Sequence, residues 1–290
     1  MSSPLPADTD IEQGRARVNG IELQYQIGGS GPDLVLISGL GQNALAWAGV
    51  VSTFRQRYRT LVFDNRGTGR SELAPGPYSI DQMGDDAAAL IAHLGIAGTA
   101  VVGWSLGGSV LQSMLIRHGD LMRCAVLLNA FPNYTDIQHY WLDALIALRR
   151  SDAPAESKIA LSMPWALSPL ILSDHARTRD LIAAMLRNPW PTSNAGFEAQ
   201  AAGLRVFDAV AGLPGVRTPT LVLAGAEDVL TPIAQSQQIA SLIPGAELRV
   251  MGKGGHSMVI DYPHEVTRLI LDYLAPHDPN PSAMNPVSAP

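Results

Sequence analysis

The stretch Ala100-Val-Val-Gly-Trp-Ser-Leu-Gly-Gly108 decides the fold of this 290-residue chain. It starts as a short apolar run, typical of a buried parallel strand, and passes through Gly103-Trp-Ser-Leu-Gly107 into a helical segment that reaches about Arg117. A serine at such a sharp strand-to-helix turn has a strained backbone, and glycines two residues to either side leave room for it. Ser105 is therefore the candidate nucleophile, and the Leu106 amide, at the start of the helix, is a candidate oxyanion donor.

Five further apolar runs have the same buried-strand character, and most are separated by segments of helix length. They span residues 34–37, 61–63, 125–128, 221–223 and 248–251. Ser79 starts a predicted helix that Gly95 ends, and a β-hairpin is predicted to turn at Asn19-Gly20. This alternation predicts an α/β fold with a mostly parallel central sheet flanked by helices.

The alternation stops over residues 132–216, where amphipathic helical patterns appear at 140–149 and 180–187. We interpret 132–216 as a helical cap inserted into a core formed by residues 14–131 and 217–274. Residues 1–13 are predicted to be a flexible N-terminus. The stretch 275–290 is rich in proline and polar residues, so it is predicted to be a disordered tail.

A serine hydroxyl is a weak nucleophile at neutral pH, so Ser105 needs a base, and the base needs a carboxylate that orients it. Asp228 lies just past the run at 221–223, and His256 lies among glycines just past the run at 248–251. The carboxyl ends of parallel strands share one edge of the sheet, so the three side chains are expected to meet there. Glu227, beside Asp228, is an alternative acid.

The loop Ser38-Gly-Leu-Gly-Gln-Asn43 follows the first buried run. Gly39 allows a tight turn, so the Leu40 amide is expected to face the same point as the Leu106 amide and to be the second oxyanion donor. Together with Asp64, this loop also mimics a dinucleotide-binding fingerprint, which would suggest an oxidoreductase. That alternative leaves the placement of Ser105, Asp228 and His256 unexplained, and Asp64 and Arg66 are better interpreted as structural.

Composition narrows the possible partners. The formal net charge is -6 and the basic residues are scattered, so no stripe could neutralise a nucleic-acid backbone. The single cysteine, Cys124, allows no internal disulfide framework, and neither a secretory signal nor a membrane-spanning apolar run is recognisable. A soluble, cytoplasmic protein without a membrane partner is expected. Monomer and homodimer both remain open.

Taken together, five stretches resemble the α/β-hydrolase superfamily, and they span about Val18 to Leu274. They are Ser38-Gly-Leu-Gly41, Asp64-Asn-Arg-Gly-Thr-Gly-Arg-Ser71, Gly103-Trp-Ser-Leu-Gly107, Gly225-Ala-Glu-Asp228 with Pro232, and Gly254-Gly-His256. The resemblance puts the acid at Asp228. The stretches at 37–41 with Trp47, at 64–69 and at 78–83 look like the branch of enol-lactone hydrolases, aminoacrylate-type hydrolases and polyketide methylesterases. One departure is Ser38, where many members have histidine.

The resemblance implies a two-step acyl transfer without a metal or organic cofactor, acting on an ester or lactone of a small apolar substrate. A serine nucleophile argues against the haloalkane dehalogenase and epoxide hydrolase branches, which use an aspartate. The cap residues Trp141, Trp165 and Trp190 are candidates to shape an apolar substrate pocket, with a buried structural role as the alternative for each. Trp104, beside the candidate nucleophile, is a candidate substrate-binding residue.

One alternative keeps the fold but changes the chemistry. Such a protein would catalyse a cyclisation, an elimination or an acyl transfer, or would hydrolyse a carbon–carbon bond, or would act as a ligand receptor. The presence of all three candidate residues argues against a pure receptor.

Overall fold

The computed structural model describes residues 11–279. Its centre is an eight-stranded sheet with the order β1-β2-β4-β3-β5-β6-β7-β8. The strands are β1 (Glu12–Val18), β2 (Ile21–Gly28), β3 (Asp33–Ile37), β4 (Arg59–Phe63), β5 (Thr99–Trp104), β6 (Met122–Leu128), β7 (Thr220–Gly225) and β8 (Glu247–Met251). The first two strands pair antiparallel through the turn at Asn19-Gly20, and β3 to β8 are parallel. The predicted mostly parallel sheet is confirmed.

Eleven helices of the described residues surround or cap this sheet. They are α1 (Val51–Arg55), α2 (Ile80–His93), α3 (Leu106–Arg117), α4 (Asp136–Arg150), α5 (Ala155–Ala166), α6 (Pro169–Ser173), α7 (His175–Leu186), α8 (Asn194–Arg205), α9 (Ile233–Leu242), α10 (Met258–Asp261) and α11 (Pro263–Leu274). The Ser79 hydroxyl accepts the Gln82 N–H and so caps α2, and Gly95, with a φ of 66°, follows its end. No helix within residues 11–279 is long and apolar enough to span a membrane.

Apolar side chains cover both faces of the sheet, because successive residues of a strand point to opposite sides. Strand β5 shows the alternation: Val101 packs in the cluster under α2 and α3, whereas Val102 and Trp104 pack in the cluster under α1 and α11. Strands β3 to β7 are therefore buried on both faces, which is why they have continuous apolar sequences, whereas the edge strand β8 buries Met251 and leaves Glu247 and Val250 exposed.

Helices α4 to α8 lie between β6 and β7, in the range where the sequence predicts a cap. They are attached unequally. Helix α7 has no buried residue, whereas α8 buries seven. A β-carbon at Gly196 would lie 2.0 Å from the Gly67 carbonyl oxygen, so α8 meets the loop after β4 backbone against backbone.

Both chain ends are ordered further than the composition suggests. Residues 12–13, predicted to be flexible, pair in β1. Asp278 accepts a hydrogen bond from the Tyr58 hydroxyl at 2.8 Å and forms an ion pair with Arg123 at 3.1 Å. The prediction of a disordered tail is therefore wrong for residues 275–279, because these two polar partners hold the chain against the core. The rest of both predicted end segments lies outside the described residues.

Candidate active site

The turn at Ser105 has the strained geometry that its sequence predicts. Ser105 lies between β5 and α3 with φ 56° and ψ −120°, in the region that side chains rarely adopt. A β-carbon at Gly103 would lie 2.3 Å from the Gly107 carbonyl oxygen, and one at Gly107 would lie 2.1 Å from the Ile37 carbonyl oxygen. The two glycines are required because backbone approaches them on both sides of the turn.

The structure brings Ser105, His256 and Asp228 into one hydrogen-bond chain. His256 Nε2 lies 2.8 Å from Ser105 Oγ, and His256 Nδ1 lies 2.8 Å from Asp228 Oδ2. The histidine and the aspartate are 6% and 5% exposed, whereas Ser105 is half-buried. The chain thus runs from a buried carboxylate to a hydroxyl that solvent or a substrate can reach.

Backbone donors fix the orientation of the Asp228 carboxylate. Its Oδ1 accepts the N–H groups of Leu230 at 2.9 Å and Thr231 at 2.8 Å, while the Thr231 hydroxyl donates to Oδ2 at 2.5 Å. Glu227, the alternative acid, turns the other way and accepts the Gly254 N–H at 3.0 Å. Only Asp228 of the pair faces the imidazole.

The histidine loop is supported from below by Asn129, a residue that the sequence analysis missed. Its Nδ2 donates to the carbonyls of Gly255 and His256 at 2.9 and 2.8 Å, and its Oδ1 accepts the Gly225 N–H at 2.9 Å. Asn129 directly follows β6 and has a φ of 44°, a conformation that asparagine tolerates better than most residues. Its position just past a buried strand was the available signal.

The prediction that Trp104 binds substrate is wrong on position. Trp104 is 1% exposed, and its ring packs edge-on against Trp47 with centroids 6.1 Å apart. Its indole N–H donates to the His256 carbonyl at 2.8 Å. The side chain points into the core under α1 and α11, so it supports the histidine loop and has no surface to offer a substrate.

The loop that carries Leu40 lies against the nucleophile. A β-carbon at Gly39 would be 3.4 Å from Ser105 Cβ, which is ordinary van der Waals contact. Leu106 is the first residue of α3, so its N–H has no acceptor within the helix. The Ser38 hydroxyl donates to the Asn43 carbonyl at 3.3 Å and so closes the loop. Both predicted oxyanion donors thus belong to segments that adjoin Ser105.

The cap adjoins the histidine loop at the end of α5. The Ala166 carbonyl accepts the Ser257 N–H at 2.7 Å. Asp261 is 2% exposed, and its Oδ2 accepts the N–H groups of Ser168, in the cap, at 2.9 Å and of Gly255 at 2.8 Å. Burial raises the pKa of Asp261, and the two N–H donors oppose that rise. The carboxylate therefore ties the cap to the loop of His256.

The three cap tryptophans occupy different places. Trp141 is half-buried and packs on the small cluster of Leu142, Phe197 and Ala201, on which Leu40 also packs. Trp165 is half-buried beside Ala166, near the histidine loop. The exposed fraction of Trp190 is 39%, and the Arg70 guanidinium lies 4.3 Å from its ring centroid. Trp141 thus packs beside the Leu40 loop, and Trp165 precedes the residue that bonds the His256 loop. The Trp190 ring stacks on Arg70, and its carbonyl accepts from Asn43 at the end of the Leu40 loop at 3.0 Å.

The residues that resemble a dinucleotide-binding fingerprint, and Arg66 beside them, form hydrogen bonds and an ion pair within the protein. Asp64 accepts the Ala44 N–H at 2.7 Å and the Arg70 N–H at 2.8 Å, and burial raises its pKa. Arg66 forms a buried two-bond ion pair with Asp86 at 2.5 and 2.8 Å. Within residues 11–279, no group of three or more His, Cys, Asp or Glu side chains could hold a metal ion.

Comparison with known proteins agrees with this geometry. A family profile described as the alpha/beta hydrolase fold matches residues 32–263. The chain belongs to the α/β-hydrolase family. The resemblance that the sequence motifs carry is therefore confirmed, and the five stretches that carry it lie in or next to this matched range.

Relatives of this α/β-hydrolase are named as hydrolases. A protein of Stutzerimonas stutzeri (strain A1501) named "Putative carbamate hydrolase RutD" is 32% identical over 88% of this chain and 96% of its own length. A protein of the same name from Pseudomonas savastanoi pv. phaseolicola is 33% identical over 84% and 93%. The crystal structure of the enol-lactonase from Burkholderia xenovorans LB400 superposes with a TM-score of 0.82 at 26% identity, covering 90% of this chain and all of that one.

Proposed function

We propose that this α/β-hydrolase cleaves a carboxylic ester or lactone of a small apolar substrate through an acyl-enzyme on Ser105. The observation that carries the proposal is the unbroken hydrogen-bond chain from Asp228 through His256 to Ser105, with both links at 2.8 Å. A hydroxyl so placed loses its proton to the imidazole as it attacks, and the carboxylate stabilises the imidazolium that forms.

The proposed reaction has two halves. Ser105 Oγ bonds to the substrate carbonyl carbon while its proton passes to His256 Nε2, and the Leu40 and Leu106 N–H groups stabilise the oxyanion. The intermediate collapses, the carbon–oxygen bond to the alcohol breaks, and the alcohol takes the proton from His256. A water molecule then attacks the acyl-enzyme by the same route, which releases the acid and restores Ser105.

The substrate's acyl part is proposed to be apolar because of what packs beside the Leu40 loop. Leu40 and Trp141 share the apolar cluster of Leu142, Phe197 and Ala201, and the Arg149 guanidinium lies 4.3 Å from the Phe197 ring centroid. An apolar group that enters next to this cluster leaves water, which favours binding in proportion to the area buried.

A carbamate is the second candidate substrate, and the curated relatives favour it. Two relatives that match over more than four-fifths of this chain, at 32% and 33% identity, carry the name of a carbamate hydrolase. The same serine attack on the carbonyl of a carbamate ester breaks its bond to the alcohol oxygen, and the alcohol leaves with the proton from His256. The carbamoyl-enzyme that results is then hydrolysed by water, which releases the carbamic acid and restores Ser105. The chemistry of Ser105 and His256 is shared by both candidates, so only turnover distinguishes them.

The test is hydrolysis of p-nitrophenyl esters of increasing chain length, of lactones and of a p-nitrophenyl carbamate, alongside labelling by a fluorophosphonate. We expect turnover of short to medium esters and a labelled serine, and Ser105→Ala should lose labelling and at least about 10⁴-fold in kcat. Turnover of the carbamate alone would favour the second candidate. An unlabelled wild-type enzyme that turns over no compound of the panel would overturn both.

A further inference from the structure

Cap helix α8 contributes one fully buried polar side chain to the loop of Leu40. Gln200 has no exposed surface. Its Oε1 accepts the Gly41 N–H at 3.0 Å, and its Nε2 donates to the Arg66 carbonyl at 2.9 Å. Both ends of the amide are therefore used by the two loops that follow β3 and β4, which are far from α8 in sequence.

Gln200 contacts Gly41, the loop residue whose N–H belongs to the central peptide of a tight turn. The Gln42 N–H donates to the Gly39 carbonyl at 3.1 Å, which closes a turn around Leu40 and Gly41. Gly41 has a φ of 65°, as the third residue of a type II turn requires. In such a turn the peptide between the two central residues has one of two opposite orientations. An acceptor opposite the Gly41 N–H selects one of them.

Phe197 holds the same residue from a second point on α8. A β-carbon at Gly41 would lie 2.6 Å from the Phe197 ring, so the ring covers this glycine directly. Phe197 and Gln200 are three residues apart and so lie on one face of the helix. The acceptor and the ring together leave the Leu40–Gly41 peptide little freedom to rotate.

We infer that Gln200 is a positioning residue for the oxyanion hole, an inference that rests on the proposed function. Only the two backbone torsions of Leu40 separate the Gly41 N–H from the Leu40 N–H. Fixing the first therefore restricts the direction of the second. An oxyanion donor is effective only when it is held in place before charge develops on the substrate oxygen. The cap helix thus takes part in catalysis through the backbone of a core loop.

The test compares Gln200→Met with Gln138→Met. Gln138 is a matched control, because it is also a buried glutamine of the cap, 1% exposed, but bonds to Thr135 and Gln235 instead of the Leu40 loop. For a p-nitrophenyl ester, Gln200→Met should lower kcat by about 10- to 100-fold and change KM little, since a displaced donor fails mainly in the transition state. Gln138→Met should stay within about twofold of the wild type on both constants.

A transition-state mimic separates positioning from general damage. An alkylboronic acid forms a tetrahedral adduct with a serine nucleophile, so its inhibition constant should rise in Gln200→Met by about the factor by which kcat falls. Equal melting temperatures of the two variants would show that the loss is not unfolding. A kcat equal to that of Gln138→Met, or a fall in kcat with unchanged boronate inhibition, would overturn the inference.

Two provisions keep the experiment decisive. If Gln200→Met does not fold, Gln200→Ala removes the same two hydrogen bonds without placing an apolar group against the Arg66 carbonyl. If the wild type hydrolyses none of the esters but its serine is labelled by a fluorophosphonate, the labelling rates of the wild type and the variant are compared instead. A tenfold slower rate in the variant supports the role of Gln200, and equal rates overturn it, whatever the substrate is.

Discussion

Ser105 and Asp228 are held by the sheet core, whereas the loops of Leu40 and His256 are also held by the cap. The turn at Ser105 is shaped by backbone contacts between strand ends, and the Asp228 carboxylate by amides of its own loop. In contrast, Gln200 bonds the Leu40 loop from α8, and Asp261 links the His256 loop to the cap. The proposed nucleophile and acid therefore have geometry independent of the cap, while the proposed oxyanion donor and base are positioned partly by it.

The largest loss of activity is expected from a substitution of Asp228, which the core holds in place. Asp228→Asn leaves the shape of the side chain but removes the charge that stabilises the imidazolium, so kcat should fall by about 10⁴-fold. Glu227→Gln is the matched control: this neighbour bonds only the Gly254 N–H, so kcat should fall by less than about tenfold. Steady-state hydrolysis of a p-nitrophenyl ester measures both. A larger loss in Glu227→Gln than in Asp228→Asn would reverse the assignment of the acid.

Breaking the cap's hold on the histidine loop should have an intermediate effect. Asp261→Ala removes the acceptor that Ser168 and Gly255 share but leaves the Ser257–Ala166 hydrogen bond between the His256 loop and the cap, so kcat should fall by about tenfold. Asp261→Asn keeps an oxygen at this place and should lose less. Equal activity of the alanine variant and the wild type would mean that the Asp261 carboxylate does not position His256.

Asp261→Asn also tests the charge of this side chain, through the pH dependence of the melting temperature. Burial holds the pKa of Asp261 in the folded protein above its ordinary value of 3.8. As the pH falls toward this raised pKa, the folded protein takes up the proton before the unfolded chain does, so folding gains stability. That gain is lost again as the pH rises. The melting temperature of the wild type minus that of Asp261→Asn should therefore increase from pH 7 to pH 4, and a decrease would contradict the burial of a charged carboxylate.

The stacking of Trp190 on Arg70 at the edge of the cap should have the smallest effect on stability and activity. Trp190→Leu removes the stacking on Arg70 but keeps the Trp190 backbone carbonyl that accepts from Asn43 at 3.0 Å. The free energy of unfolding should fall by only about 0.5–1 kcal/mol, and kcat should stay within about twofold of the wild type. Chemical denaturation and ester hydrolysis test this. A tenfold rise in KM would instead indicate that Trp190 contacts the substrate.

Sequence patterns predicted the parts of the molecule that depend on local order. The positions of the six predicted strands, the hairpin at Asn19-Gly20 and the helix from Ser79 follow from short-range periodicity and turn chemistry. The prediction that the strand at 248–251 is buried is wrong, because this strand lies at the edge of the sheet and only its last residue, Met251, is buried. Ser105, Asp228 and His256 could be placed together because each follows a strand of one parallel sheet. The spatial convergence at the sheet edge required no knowledge of side-chain packing.

Contacts made across the cap were beyond such patterns. Gln200 lies 159 residues from Gly41, and a buried glutamine in an amphipathic helix has no signature that separates it from an exposed one. Asp261 was missed for the same reason, since its cap partner Ser168 is 93 residues away. Asn129 had a signal in its position just past a buried strand, although the backbone groups it bonds belong to distant loops of the core. The error at Trp104 could have been avoided from the sequence. Trp104 is two residues from Val102 along β5, so both side chains point to the same face of the sheet, the one that α1 and α11 cover.

The close backbone contact between Gly196 and Gly67 limits which part of the cap can be varied by protein engineering. Where two main chains touch, any side chain introduced at 196 would push α8 outward and carry Gln200 and Phe197 with it. The α7 segment has no buried residue and tolerates replacement far better. Libraries that aim at a new substrate range should therefore diversify α7 (His175–Leu186) and keep 196–203 fixed, so that the cap changes while Gln200 and Phe197 stay against the Leu40 loop.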